Sequence, residues 1–189
     1  MSALEGTVYD DGAVCIVHGD AREVLCELVT DAARAVVITD PVWPNAPAGL
    51  FDVDDPEALF AEVAQHWPRL ARRAVVVLGC TSDPRMLAAM PADHAPGRRV
   101  YPGECTGHGH RGQGRTAHPC LRCLDHMRWL VAHFTQPGDL VIDPFGGSGT
   151  TARAKDLGRR ALLIEKSLGF CQLAIDEMRQ EVLALGGAA

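Results

Sequence analysis

Three acids and one glycine-rich turn carry the chemistry in this chain. Asp143-Pro144-Phe145-Gly146-Gly147-Ser148-Gly149-Thr150-Thr151 follows the branched apolar pair Val141-Ile142 and leads into a helix-forming run from Ala152 to Leu157. That order spells a strand, a tight loop and a helix start. Glycines let a backbone approach a ligand closely, and a helix start offers unpaired N–H groups. A nucleotide-like ligand suits such a junction. A phosphate suits it less, because the loop opens on an acid and no Lys-Ser/Thr follows the glycines. Glu165 ends the next apolar run, where a carboxylate can accept from both hydroxyls of a ribose. An adenosine bearing a positive centre fits Asp143, and S-adenosylmethionine is a ligand of that kind.

Asp40-Pro41-Val42-Trp43 is the second constellation. It offers a carboxylate acceptor, backbone carbonyls held by a rigid turn, and an indole face. Acceptors of this kind orient the N–H groups of an exocyclic amine while the indole stacks on a flat ring. Taken singly, each feature has a plain alternative: a glycine loop with no ligand, a solvated strand-end acid, a structural Asp-Pro turn.

The elements that would position these groups alternate. Residues 13–18, 35–38, 74–78, 140–143 and 160–165 read as short buried strands. Helices are expected over 21–30, 56–71, 84–90, 124–134 and 168–185. Buried strands alternating with helices predict an α/β fold, a doubly wound and mainly parallel sheet of Rossmann-like form. Such sheets bind ligands at the carboxyl ends of their strands, where Asp40, Asp143 and Glu165 all fall. Residues 91–119 lack an apolar period and read as one long loop or insertion within a single domain spanning 1–189.

The composition sets limits. At 189 residues and 47% apolar content the chain can build one good core. A net charge of -6 argues against nucleic-acid binding by overall charge. A local basic surface remains, since five arginines (98, 99, 111, 115, 122) face one acid, Glu104, between Arg98 and Arg122. Neither a membrane span nor a secretory leader is visible, so a cytoplasmic protein is expected. Seven cysteines are an odd set, of which Cys15, Cys26, Cys80 and Cys171 read as buried thiols in a reducing compartment.

The motifs together resemble the amino-methyltransferases of DNA. Asp143 to Thr151 resembles their cofactor loop, and Thr39-Asp40-Pro41-Val42-Trp43 their catalytic Asp-Pro-Pro-aromatic turn. His118-Pro119 resembles the His-Pro segment that precedes the cofactor loop. Leu162-Leu163-Ile164-Glu165 is similar to the ribose-binding strand end, and Gly19-Asp20 to the segment after the first strand. The catalytic turn precedes the cofactor loop, as in the beta class of this family, and the shortness of the chain resembles its minimal, phage-borne members. The resemblance implies a Rossmann-like methyltransferase fold and transfer of a methyl group from S-adenosylmethionine to the N6 amine of adenine in DNA. Asp40 and the Pro41 carbonyl would orient the amine and Trp43 would stack on a flipped base. Asp20, Asp40, His118, Asp143, Phe145, Gly146, Gly147, Ser148, Gly149, Thr150 and Glu165 would hold the cofactor. Cytosine-N4 or RNA as target, and an inactive subunit that binds cofactor and nucleic acid, remain the alternatives.

Departures from the family pattern shape two further expectations. Val42 replaces the second proline, and the Lys-Pro ending after His118-Pro119 is missing. Only residues 91–117 are available for target recognition, so a short recognition sequence or a second subunit in a homodimer is expected. Arg98, Arg99, Arg111 and Arg115 are the expected phosphate contacts. Cys105, His108, Cys120 and Cys123 have zinc-compatible spacing, but Cys120 overlaps the segment beside the cofactor loop and no metal is the favoured reading.

Overall fold

The computed structural model describes residues 4–45, 53–77, 83–91 and 124–179. Six strands form one sheet: β1 (Thr7–Asp10), β2 (Val14–His18), β3 (Ala35–Thr39), β4 (Arg73–Val76), β5 (Leu140–Asp143) and β6 (Arg160–Glu165). Their spatial order is β1-β2-β6-β5-β3-β4, parallel throughout except for the antiparallel β1-β2 pair. The expected doubly wound sheet is present.

Period-2 alternation splits the core into two layers. Val17, Val37, Ile142 and Ile164 point to one face. They meet Leu25 of α1 (Ala21–Glu27), Phe60 and Val63 of α2 (Pro56–Ala64), and Trp67 and Leu70 of α3 (Trp67–Leu70). Ile16, Val36, Ile38, Val141 and Leu163 point to the other face. There they join Met127, Leu130 and Val131 of α4 (Leu124–Phe134), and Cys171, Ala174 and Ile175 of α5 (Leu168–Arg179). With both faces covered, the central strands are buried along nearly their whole length, so they read in sequence as apolar runs.

The structure corrects several expected boundaries. β1 is an added strand whose alternate residues are half exposed, so its sequence lacks an apolar run. α1 stops at Glu27, because Leu28 is already extended and the Thr30 hydroxyl bonds to Leu70 O. The helix expected over 56–71 is two helices. Pro68 has no N–H to continue the first, and it sits near the start of the second. The helix-forming run expected from Ala152 to Leu157 is a 3-10 helix over Thr150–Leu157. Of the thiols, Cys15 and Cys171 are buried as expected. Cys26 is exposed, one position past Leu25 and off the apolar face of α1. Cys80 and the residues after Arg179 lie outside the described residues.

Candidate functional site

The strand order reverses between β5 and β3. From β3 the chain moves outward to β4, whereas from β5 it moves the other way to β6. The carboxyl ends of two adjacent strands that lead away from each other leave a crevice there, the usual ligand position in such sheets. Asp40 follows β3 on one side, and Asp143 ends β5 on the other. Glu165 ends β6, and Gly19-Asp20 follows β2, one and two strands further along.

Asp143 is 4% exposed, and both its oxygens are engaged within the protein. Oδ1 accepts from the Thr39 hydroxyl at 2.7 Å and from Phe145 N–H at 3.1 Å. Oδ2 accepts from the Thr151 hydroxyl at 2.6 Å. Burial is the largest influence on this carboxyl and pushes it up to about 6. The bonds from Thr151, Thr39 and Phe145 pull the other way, and Asp40 nearby adds to the rise. The side chain therefore ties the catalytic-type turn to both ends of the glycine loop. Its contacts make it an anchor of the loop, beside the direct role toward a positive centre that was expected. Thr39 and Thr151 were missed as site residues because a threonine at a strand end or a helix start passes for ordinary sequence there.

The loop itself is held by its backbone. Gly146 N–H donates to Ile164 O at 2.9 Å, and Gly147 N–H to Glu165 Oε2 at 2.8 Å. A Cβ on Gly146 would lie 3.1 Å from Leu163 Cβ. Gly149 has φ +87, and a Cβ there would lie 2.6 Å from Ala174 Cβ. The loop packs down on β6 and α5 because these positions carry no side chain.

Glu165 also accepts Ser167 N–H, at 2.7 Å on Oε1. Burial pushes this carboxyl up, opposed by N–H groups of Ser167, Gly147 and Lys166. A carboxylate oxygen has two lone pairs, so each oxygen retains acceptor capacity after its backbone bond. Gly19 N–H donates to Glu165 O at 3.0 Å, which places Asp20 beside this strand end. Asp20 caps α1 and is gripped by Arg22 through Nε at 2.9 Å and Nη2 at 2.6 Å. Those bonds hold its carboxyl below its ordinary value against the effect of burial. Arg22 also reaches Glu62 of α2 at 3.1 Å. An adenosine-type ligand fits this rim: a glycine backbone for close approach and Glu165 for hydroxyls.

Trp43, expected to stack on a flipped base, is 8% exposed as a residue and packs against the apolar layer built by α1, α2 and α3. The physical reason is its large apolar area, which gains most by burial, while its one polar atom finds a partner: Nε1–H donates to Asp40 Oδ1 at 3.2 Å. Pro41 is buried beside it. His118, Arg98, Arg99, Arg111, Arg115 and the zinc set Cys105, His108, Cys120 and Cys123 lie outside the described residues. Among the described residues, no group of three or more His, Cys, Asp or Glu side chains converges on a metal position. No described helix is long and apolar enough to cross a membrane.

The fold and its acid-rimmed crevice define the class: a Rossmann-like α/β protein built to hold a nucleoside-type ligand at its switch point. The chain belongs to the N6_N4_Mtase family of DNA methylases, whose model matches residues 36–176. It is 35% identical over 89 residues to the type II methyltransferase M.EcaI of Enterobacter cloacae; the match covers 47% of this chain and 20% of that protein. The curated relatives are much longer proteins, and the chain matches about a fifth of their length. Among solved structures it is similar to TTHA0409 of Thermus thermophilus, a candidate DNA modification methylase complexed with S-adenosyl-L-methionine. The TM-score is 0.60 at 23% identity, over 89% of this chain and 96% of that one. The cytosine-N4-specific PvuII DNA methyltransferase gives a TM-score of 0.61 at 14% identity, over 90% and 88% of the two chains.

Proposed function

We propose that this protein binds S-adenosylmethionine and methylates the N6 amine of adenine in DNA. The observation that carries this reading is the crevice between β3 and β5. The Asp40 turn stands on one side, the glycine loop on the other, and the Thr39–Asp143 bond joins them. When bound, S-adenosylmethionine would supply an electrophilic methyl group for transfer to the amine nitrogen, with its sulfur as the leaving atom and the amine proton going to solvent.

The chain's own residues orient the reactants. Asp40 accepts an N–H of the amine, and with the Pro41 carbonyl it directs the nitrogen lone pair toward the loop. Glu165 accepts the ribose hydroxyls, and Asp20 contributes to the cofactor rim beside it. Gly146, Gly147, Ser148, Gly149 and Thr150 supply the backbone rim, with Phe145 at its start and His118 as a further cofactor contact. Arg98, Arg99, Arg111 and Arg115 meet DNA phosphates.

Adenine is the favoured target because the motif opens on Asp40; cytosine-N4 members resemble it but usually open on serine. The test is methyl transfer from labelled S-adenosylmethionine to unmodified DNA, followed by nucleoside analysis. Label in 6-methyladenine that disappears in Asp40→Ala is expected. Label in 4-methylcytosine overturns the adenine assignment, and no label with cofactor binding intact overturns the activity.

A further inference from the structure

Glu165 is served by a peptide group whose opposite end is held from another strand. The carbonyl of Lys166 and the N–H of Ser167 belong to one planar unit, and in a trans peptide they point in opposite directions. The N–H donates to Glu165 Oε1 at 2.7 Å. The carbonyl lies 3.1 Å from His18 Nε2, across 148 residues of sequence. A carbonyl only accepts, so this ring nitrogen carries the proton and donates. His18 therefore grips one end of the peptide and Glu165 takes the other.

The sheet puts His18 in reach. β2 and β6 run parallel with His18 level with Glu165, so the two strands end side by side. Backbone bonds fix the residue itself. His18 N–H donates to Gly6 O at 2.9 Å, and Gly19 N–H donates to Glu165 O at 3.0 Å. His18 is exposed, so packing does not account for where its ring sits. Turning the Lys166–Ser167 plane would take its N–H away from Glu165 and release Oε1. The imidazole bond opposes that turn, and successive bonds through one peptide group polarise and strengthen each other.

We propose that His18 is a positioning residue of the ligand site: by holding the Lys166–Ser167 peptide, it fixes the direction in which Glu165 presents its carboxylate to the hydroxyls of a ribose. This rests on the S-adenosylmethionine reading above and adds to it a residue that acts through the backbone following β6.

Calorimetry with S-adenosylmethionine on the full chain tests the proposal. His18→Phe keeps a ring and removes the donor, and affinity is expected to fall about three- to tenfold, the size of one lost hydrogen bond. His18→Gln places an amide N–H as many bonds from Cα as Nε2 in histidine, and is expected to retain most of the affinity. In a Glu165→Ala background His18→Phe should make no further difference, because the carboxylate it orients is gone. An unchanged affinity in His18→Phe overturns the proposal. So does an equal loss in His18→Gln, or a loss that persists without the Glu165 carboxylate. A second measurement needs no ligand. Hydrogen exchange of the Ser167 amide, followed by magnetic resonance, is expected to quicken in His18→Phe and not in His18→Gln. Unchanged exchange in His18→Phe overturns the grip on the peptide. A wild-type protein that binds no S-adenosylmethionine defeats the cofactor reading and the ligand role of His18 together, and the Ser167 amide then still decides whether the grip exists.

Discussion

The Thr39 hydroxyl donates to Asp143 Oδ1 across 104 residues of sequence, and it joins the two strand ends that flank the crevice. Thr39→Val keeps the shape and removes the donor, leaving a buried carboxylate with one partner fewer. A loss of about 1–3 kcal/mol in stability is expected, measured by urea unfolding. Because the bond connects the turn to the loop, kcat for methyl transfer should fall as well. Full stability in the variant would show that the hydroxyl is dispensable.

Asp143 predicts a pH dependence of stability. Its carboxyl is raised to about 6 in the fold, from an ordinary value of 3.8. Between those values the folded state binds more protons than the unfolded one, so stability falls as pH rises. This contribution is complete below the ordinary value and lost above about pH 6. Its full size is roughly 3 kcal/mol. Wild type should therefore gain on Asp143→Asn as pH is lowered from about 7.5 to about 5, measured by thermal unfolding of both. A constant difference between the two proteins contradicts the assignment.

Glu165→Gln tests the ribose acceptor. The backbone N–H groups of Gly147 and Ser167 each need an oxygen, and glutamine offers only one. Its amide nitrogen then faces a donor, which loosens the rim. S-adenosylmethionine affinity, measured by calorimetry, should fall about tenfold or more. An unchanged affinity would remove Glu165 from the site.

Two glycines with similar backbone angles separate strain from crowding. At Gly149 an added Cβ meets Ala174 Cβ at 2.6 Å, whereas at Gly158 (φ +74) it meets nothing within 4 Å. Both alanine variants carry the cost of a left-handed backbone, about 1 kcal/mol. Gly149→Ala should lose a further 1–3 kcal/mol or so from overpacking. Equal melting temperatures in the two variants would refute this account of the loop.

The parallel sheet was legible because strands covered on both faces leave uninterrupted apolar runs, such as residues 35–38 and 161–164. The acids at the strand ends were legible for the same reason, since each stands where a run stops. β1 was not, because a half-exposed edge strand has the composition of a loop. Side-chain partners were the least legible part. Nothing in the spacing of Thr39, Asp143 and Thr151 says that one carboxylate will take both hydroxyls. Nor does the Asp-Pro-Val-Trp order say that the indole will turn inward and hand its N–H back to Asp40. Those outcomes depend on tertiary packing, and a local pattern does not contain it.

The stitching of the glycine loop has a thermodynamic consequence. Phe145, Gly146 and Gly147 each spend their N–H on the protein, and Gly149 N–H closes the turn on Gly146 O at 2.9 Å. The loop is therefore shaped when the chain folds, before any ligand arrives. Its ordering entropy falls on folding, and ligand capture meets a preformed surface. Mutations that loosen the stitching should surface first as weaker binding with a more unfavourable entropy, while the rest of the sheet stays intact.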